Sequence, residues 1–314
     1  MPQLVRWILV FSCIAGLGIR SSEASSQAQS GSSTTTEQAQ AAPPPAPAQQ
    51  PTEDDERQLR LVEPDFVVTN LPTTLILPKH TLNFRLTHRF LLNLQANSFT
   101  ENLENLFGLD NGAIVGLEVR FAPIRHLQAI VYRNNLSKTI QFAGQYEWLR
   151  QGSSLPFSLS GIVSIEGTNN FKGSDEEQTG DEHQHGTTEG HYSPAFGAVV
   201  SRMFSDRLAT YAVPVWAHHV IPLDNVGHED VFYLGLGGRY RISAHVYVVG
   251  EVSPRFSGNM PGDPAYAFGI ERRAGGHMFQ LNFGNSLAGT YSQIAQGGFP
   301  DTIYLGFNLA RKFF

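Results

Sequence analysis

From Lys79 onward the chain alternates apolar and polar residues with a period of two, segment after segment. A β-strand sends successive side chains to opposite faces, so each segment reads as a strand with one greasy and one polar side. In the last of them Ile303, Leu305, Phe307 and Leu309 share one face, and Thr302, Tyr304, Gly306 and Asn308 the other. The same pattern predicts strands over residues 81–95, 113–122, 126–133, 138–150, 157–166 and 192–204. It continues over 208–220, 231–242, 245–253, 265–273, 277–285 and 302–313, which makes twelve. The expected fold is all-β, a closed antiparallel transmembrane β-barrel whose last strand pairs with its first. Backbone groups in a bilayer core have no water to bond, so an open sheet edge there would cost several kcal/mol per group.

The connections support the same count. Turns at Pro123, Gly152, Ser205-Asp206, Ser243-Ala244 and Gly275-Gly276 are short, and they alternate with long loops at 96–112, 167–191, 221–230, 254–264 and 286–301. Only 134–137 is short on the long side. Even strand number and alternating short turns and long loops are the habit of bacterial outer-membrane barrels, with short turns and both termini in the periplasm. Tyr146, Trp148, Tyr211, Tyr240 and Tyr266 fall near strand ends, where interfacial girdles belong. Phe99–Leu109 and Leu287–Ala295 look helical and are candidates to fold inward as plugs.

Mean hydropathy is −0.18, which argues against a helical membrane protein but not against a barrel, since half of each barrel strand is polar. Residues 1–24 read as a signal peptide: Arg6, then an apolar core from Trp7 to Leu17, then Ser22-Glu23-Ala24. Acylation at Cys13 is the alternative, which Phe11 disfavours in the preceding motif. Cleavage after Ala24 removes two Arg and one Glu, taking the formal charge from −6 to −7 and leaving no cysteine, hence no disulfide or thiol chemistry. Residues 25–64 are a Ser/Gln/Pro/Ala-rich low-complexity stretch expected to be a disordered periplasmic linker, and residues 65–314 the barrel.

Four stretches, taken in order, resemble a family of bacterial outer-membrane β-barrels defined only as a barrel domain of unknown function. They are Leu86-Thr87-His88-Arg89-Phe90; Tyr132 through Thr139 (YRNNLSKT); Glu251-Val252-Ser253-Pro254; and Gly275 through Asn285 (GGHMFQLNFGN). The resemblance covers residues 65–314 and implies a porin-like barrel in the outer membrane, without a substrate. It also implies a C-terminal strand read by the barrel-assembly machinery. Phe313 keeps the outward phase and is the candidate assembly signal, whereas Arg311 and Phe314 break it.

The polar face carries Arg85, Arg89, Glu118, Arg120, Glu147, Glu166, Arg239, Arg241, Glu251, Glu271 and Arg273. Facing a lumen, they would make a charged eyelet selecting a small-solute ligand by sign and size, or they would pair and fill a narrow interior. Mixed signs favour pairing, and twelve strands enclose less than the 16–18-stranded porins. The loop at 167–191 offers His183, His185 and His191 among carboxylates as candidate ligands for Zn²⁺, Cu²⁺ or Ni²⁺, with His218, His219 and His228 at the same end. The spacing matches no fixed metal geometry, so a solvated loop is the competing expectation. No cofactor is implied. No enzyme activity is expected either: His88 is the one outward mid-strand His, and no motif-like Ser accompanies it. Net negative charge and the absence of a basic aromatic stripe oppose nucleic acid. The partners expected are outer-membrane lipid, the assembly machinery and a small solute. Two functions compete: a passive porin-like channel, and a plugged barrel that recruits partners through its loops or tail. A secreted β-sandwich is the third alternative.

Overall fold

The computed structural model describes residues 63–313 apart from 153, 169–191 and 224–226, so the expected signal peptide and nearly all of the expected linker lie outside the described residues. Twelve antiparallel strands close into a barrel, each paired with its sequence neighbour and β12 with β1. They are β1 Leu82–Phe90, β2 Ala113–Ile124, β3 Leu127–Asn134, β4 Thr139–Leu149, β5 Ser158–Thr168 and β6 Tyr192–Met203, then β7 Leu208–Val220, β8 Glu229–Arg241, β9 Val246–Ser253, β10 Ala265–Ala274, β11 His277–Gly284 and β12 Tyr304–Phe313. Closure removes every sheet edge, and the sandwich alternative falls with it.

The alternation has the expected physical outcome. Leu117, Val119 and Phe121 on β2, Phe142 on β4, Ile165 on β5, Phe268 and Ile270 on β10, and Leu309 and Phe313 on β12 are all exposed on the outer wall. An apolar belt of that extent needs lipid rather than water. The intervening residues are buried inside, among them Asn83, Arg85, Thr87, Glu118, Arg120, Gln145, Gln280 and Asn308. Leu82 pairs with Phe313 across the closing seam, which places Phe313 in the outward phase. Arg311, expected to break that phase, shares it and lies over the Phe313 ring, 4.9 Å from its centroid.

Three further expectations change. β1 ends at Phe90 rather than residue 95, because the Asn93 side chain accepts from the Gln95 and Ile303 backbones at 3.0 and 3.2 Å and takes over the ladder's donors. Tyr211 is not a girdle residue; Tyr146, Trp148 and Tyr240 are exposed outside, but Tyr211 faces inward and is buried. Its phase on β7 belongs to Ala209, Val213 and Val215, and its hydroxyl accepts from Arg239. Of the two helical stretches only one folds inward. The first, α1 Phe99–Glu104, sits on the β1–β2 loop with Phe99 and Leu103 exposed. The second, α2 Tyr291–Gln296 on the β11–β12 loop, is buried over Tyr291 to Ala295. Thr290 caps it, and Gly297, at φ 92°, ends it in a backbone that side-chain-bearing residues avoid.

Candidate functional site

The lumen is filled by the chain itself. Residues 63–78, just before β1, enter at the end of the barrel that carries the short turns, rise inside, and fold back to begin the first strand. Two nested hydrogen bonds make the reversal: Val68 N–H donates to Leu71 O at 2.8 Å, and Thr73 N–H to Phe66 O at 2.9 Å. Pro72, two residues after Asn70, suits such a turn. Nearly all of the segment is buried, including Glu63 and Pro64, the last two residues of the expected linker.

The tip is held by Glu251 on β9. Its carboxylate accepts the backbone N–H of Thr69 at 2.9 Å, of Asn70 at 2.9 Å and of Leu71 at 3.1 Å, and the Asn70 Nδ2 at 2.9 Å. Successive backbone donors converging on one anion form a nest, here closed by a strand side chain instead of a ligand. The segment's carbonyls are served equally closely. Arg239 donates to Val67 O at 2.7 Å, Gln280 to Val68 O at 2.6 Å, Asn308 to Thr69 O at 3.1 Å, and Gln145 to Thr73 O at 2.7 Å. Gln128 donates to Leu75 O at 3.2 Å, and Lys312 Nζ donates to Pro64 O. Arg120 lies over the Phe66 ring at 5.2 Å. A buried segment outside any ladder has to find partners for its backbone groups, and this lumen supplies them side chain by side chain.

Glycines on β8 leave the room for it. A Cβ on Gly235 would stand 2.5 Å from Leu71 Cδ2, and one on Gly237 would stand 3.2 Å from Val68 Cγ2. Leu71 then joins a cluster with wall residues Ile162, Val199, Val213, Val215 and Tyr233 and with Tyr291, Ile294 and Ala295 of α2. The segment and α2 therefore share one apolar core inside the barrel, against a wall that β5–β8 make greasy.

The eleven charged residues expected to line the lumen all sit on its inner phase, at different heights. Arg85 and Arg120 flank Glu118 at 3.0 and 3.1 Å, and Arg239 meets Glu271 at 2.7 Å with both side chains fully buried. Arg89 donates to Asn308 Oδ1 at 2.8 Å and to Asn70 Oδ1 at 3.1 Å. Glu147 and Arg241 lie near the short turns, bound to Arg150 and to Asp206, each at 2.7 Å. Glu166 lies near the long loops, and Arg273 shares the inward phase of Glu271. Their geometry is that of paired charges and plug ligands, spread along the axis.

At the long-loop end, Asn134 donates to Gln293 Oε1 at 2.9 Å, Gln293 donates to Thr139 at 3.3 Å, and Ser292 bonds Ser193, which docks α2 on β3–β6. Arg255 clamps the adjoining loops, donating to the carbonyls of Gln296 at 2.7 Å and Gly262 at 2.6 Å; burial lowers its pKa while Asp263 opposes that shift. His183, His185 and His191 lie outside the described residues. His218 stacks on His219 at 4.2 Å and bonds Asp230 at 2.6 Å. Among the described residues no group of three or more His, Cys, Asp or Glu is placed to hold a metal ion. His88 faces outward, stacked on Phe307 at 4.8 Å.

The inserted segment differs from the expectation that the chain before the first strand stays outside the barrel. Its signal was the stretch FVVTNLPTTLILP at 66–78, too apolar for the linker before it and without the period of the strands after it.

The closed strand ring, the outer apolar belt and the filled interior define a membrane-bound β-barrel with an internal plug. The chain belongs to the family described as membrane bound beta barrel domain (DUF5777), whose model matches residues 65–313. No curated protein matches the chain. Among solved structures it is similar to the NanC porin, at 9% identity over 74% of this chain and 99% of that one, with a TM-score of 0.47. A KdgM porin is similar at 10% identity, 74% and 99% coverage and a TM-score of 0.43. An outer membrane channel from Pseudomonas putida F1 follows at 11%, 76% and 97%, and 0.46. These likenesses carry no argument about solutes.

Proposed function

We propose that the protein is a non-enzymatic, porin-like barrel of the outer membrane that passes small solutes when its N-terminal plug moves, and that it is closed in the conformation described. The observation that carries this reading is the Glu251 clasp on Thr69, Asn70 and Leu71, which fastens the tip of the segment that lies across the lumen. In this reading the short turns face the periplasm, the plug enters from that side, and residues preceding 63 lead there. Planar-bilayer recordings test it: openings should be rare in the parent and frequent once the clasp is broken. Silence in both would remove the channel.

The greasy wall of β5–β8 supports the second reading, a permanently plugged interaction barrel, because a water-filled path would be expected to be polar. The two readings part on whether loosening the plug ever produces conductance.

A further inference from the structure

A cavity of about 260 Å³ opens at the long-loop end, above the plug and beside α2. Its polar lining includes Glu166, Ser193, Thr139 and Gln296, with Leu136 and Leu287 supplying apolar flanks. At its rim a bulge interrupts the β7–β8 register between Ala217 and Val220 and holds His219 at φ 55°. A β-bulge with a left-handed non-glycine residue re-aims a side chain, and here the ring is turned to the rim.

Glu166 differs from the other carboxylates that the barrel wall turns inward. Glu118, Glu147 and Glu271 each meet an arginine, and Glu251 meets the plug's backbone donors. Glu166 is 8% exposed and, among the described residues, accepts from neutral donors alone: Gln141 Nε2 at 3.2 Å, the Ser292 N–H at 3.4 Å, and the hydroxyls of Thr290 and Ser292. No lysine or arginine lines the cavity among the described residues. A buried carboxylate without a counter-charge is costly, and a cavity beside it is where a counter-charge would be seated.

We propose that this chamber binds a small organic ammonium solute, its head on Glu166 and its tail against Leu136 and Leu287. The site would have the size for a solute of a few heavy atoms, since ordinary ligand pockets begin near about 300 Å³. The proposal goes beyond the channel reading and stands or falls without it, because the closed protein is the one that binds.

The test uses the folded protein in detergent and three ligands with one tail: butylammonium, butanol and butyrate, titrated by calorimetry. Butylammonium should bind saturably, with butanol and butyrate weaker by roughly tenfold or more, the loss of one charge-assisted contact. Glu166→Gln should weaken butylammonium by a similar factor while leaving the heat-modifiable gel migration of a folded barrel unchanged. Equal binding of butanol and butylammonium by the parent, or no saturable binding of butylammonium, would overturn the proposal whatever the variant does. Unchanged affinity in a folded Glu166→Gln protein would overturn it as well.

Discussion

Glu251 and Leu71 are 180 residues apart in the chain, yet the carboxylate of one accepts the backbone N–H of the other at 3.1 Å, in the middle of a barrel. The contact is one of a set of four on the same carboxylate, and it ties the wall at β9 to the turn of the inserted segment.

Breaking it should free the segment and spare the barrel. Glu251→Gln keeps the shape, but its amide turns a donor toward the three backbone N–H groups, at a cost of about 2 kcal/mol for the lost charge-assisted bonds. Gly235→Val should act alike by a different route, since its side chain takes the space of Leu71. In a Thr69→Cys background, which keeps the Leu71 side chain and puts the thiol at a buried position, both changes should speed maleimide labelling of the cysteine many-fold. Labelling as slow as in the Thr69→Cys parent would show that neither contact retains the plug.

The Arg239–Glu271 pair predicts a different phenotype. Both side chains are fully buried, so removing either one leaves an uncompensated charge, a loss of about 3–5 kcal/mol. Arg239→Met or Glu271→Gln should lower the temperature at which the folded barrel converts to the slower-migrating gel form. The double change Arg239→Met with Glu271→Leu should recover much of the loss. A double variant as weak as the sum of the singles would mean that the pair's other partners, including Val67 O, dominate.

The capping box of α1 carries a pH prediction outside the membrane span. The Ser98 N–H donates to the Glu101 carboxylate at 2.7 Å, followed by the Ser98 hydroxyl at 2.8 Å, and together they hold the Glu101 pKa below its ordinary value. A depressed carboxylate pKa stabilises the folded turn above the unfolded pKa of roughly 4.3, and that contribution is lost as pH falls through the folded value. The Ser98 amide shift should therefore titrate with an inflection below the ordinary glutamate range. An inflection at the ordinary value would show the box open in solution.

Phe313, outward and paired with Leu82 at the closing seam, is the aromatic we assign to assembly. Phe313→Ala should reduce the folded barrel recovered from the outer-membrane fraction, and deletion of Phe314 should leave it near the parent level. The opposite ranking would move the signal to Phe314.

The wall was legible because its physics is periodic. Alternation fixes which residues face lipid, turn lengths fix parity, and parity pairs β12 with β1. Thus Glu251 and Arg239 could be placed inside from their neighbours alone. What they touch there could not, since the plug has neither helical nor strand period and its bonds run to side chains nearly 250 residues away in the case of Lys312 and Pro64. Tyr211 was misplaced for a related reason: β7 is apolar on both faces, so the sequence holds no contrast from which to read its phase. Gly235 and Gly237 were legible only as small residues on a strand; their purpose needs Leu71 and Val68 in view.

Closure of the lumen rests on residues 63–78, and a reversible tether tests that most directly. Leu71→Cys with Gly235→Cys places two thiols in a chain whose one native cysteine, Cys13, lies in the expected signal peptide. Single-channel recordings of the oxidised, cross-linked protein should be silent, and reduction combined with Glu251→Gln should produce openings. Steady conductance through the cross-linked barrel would contradict the plug as its closure.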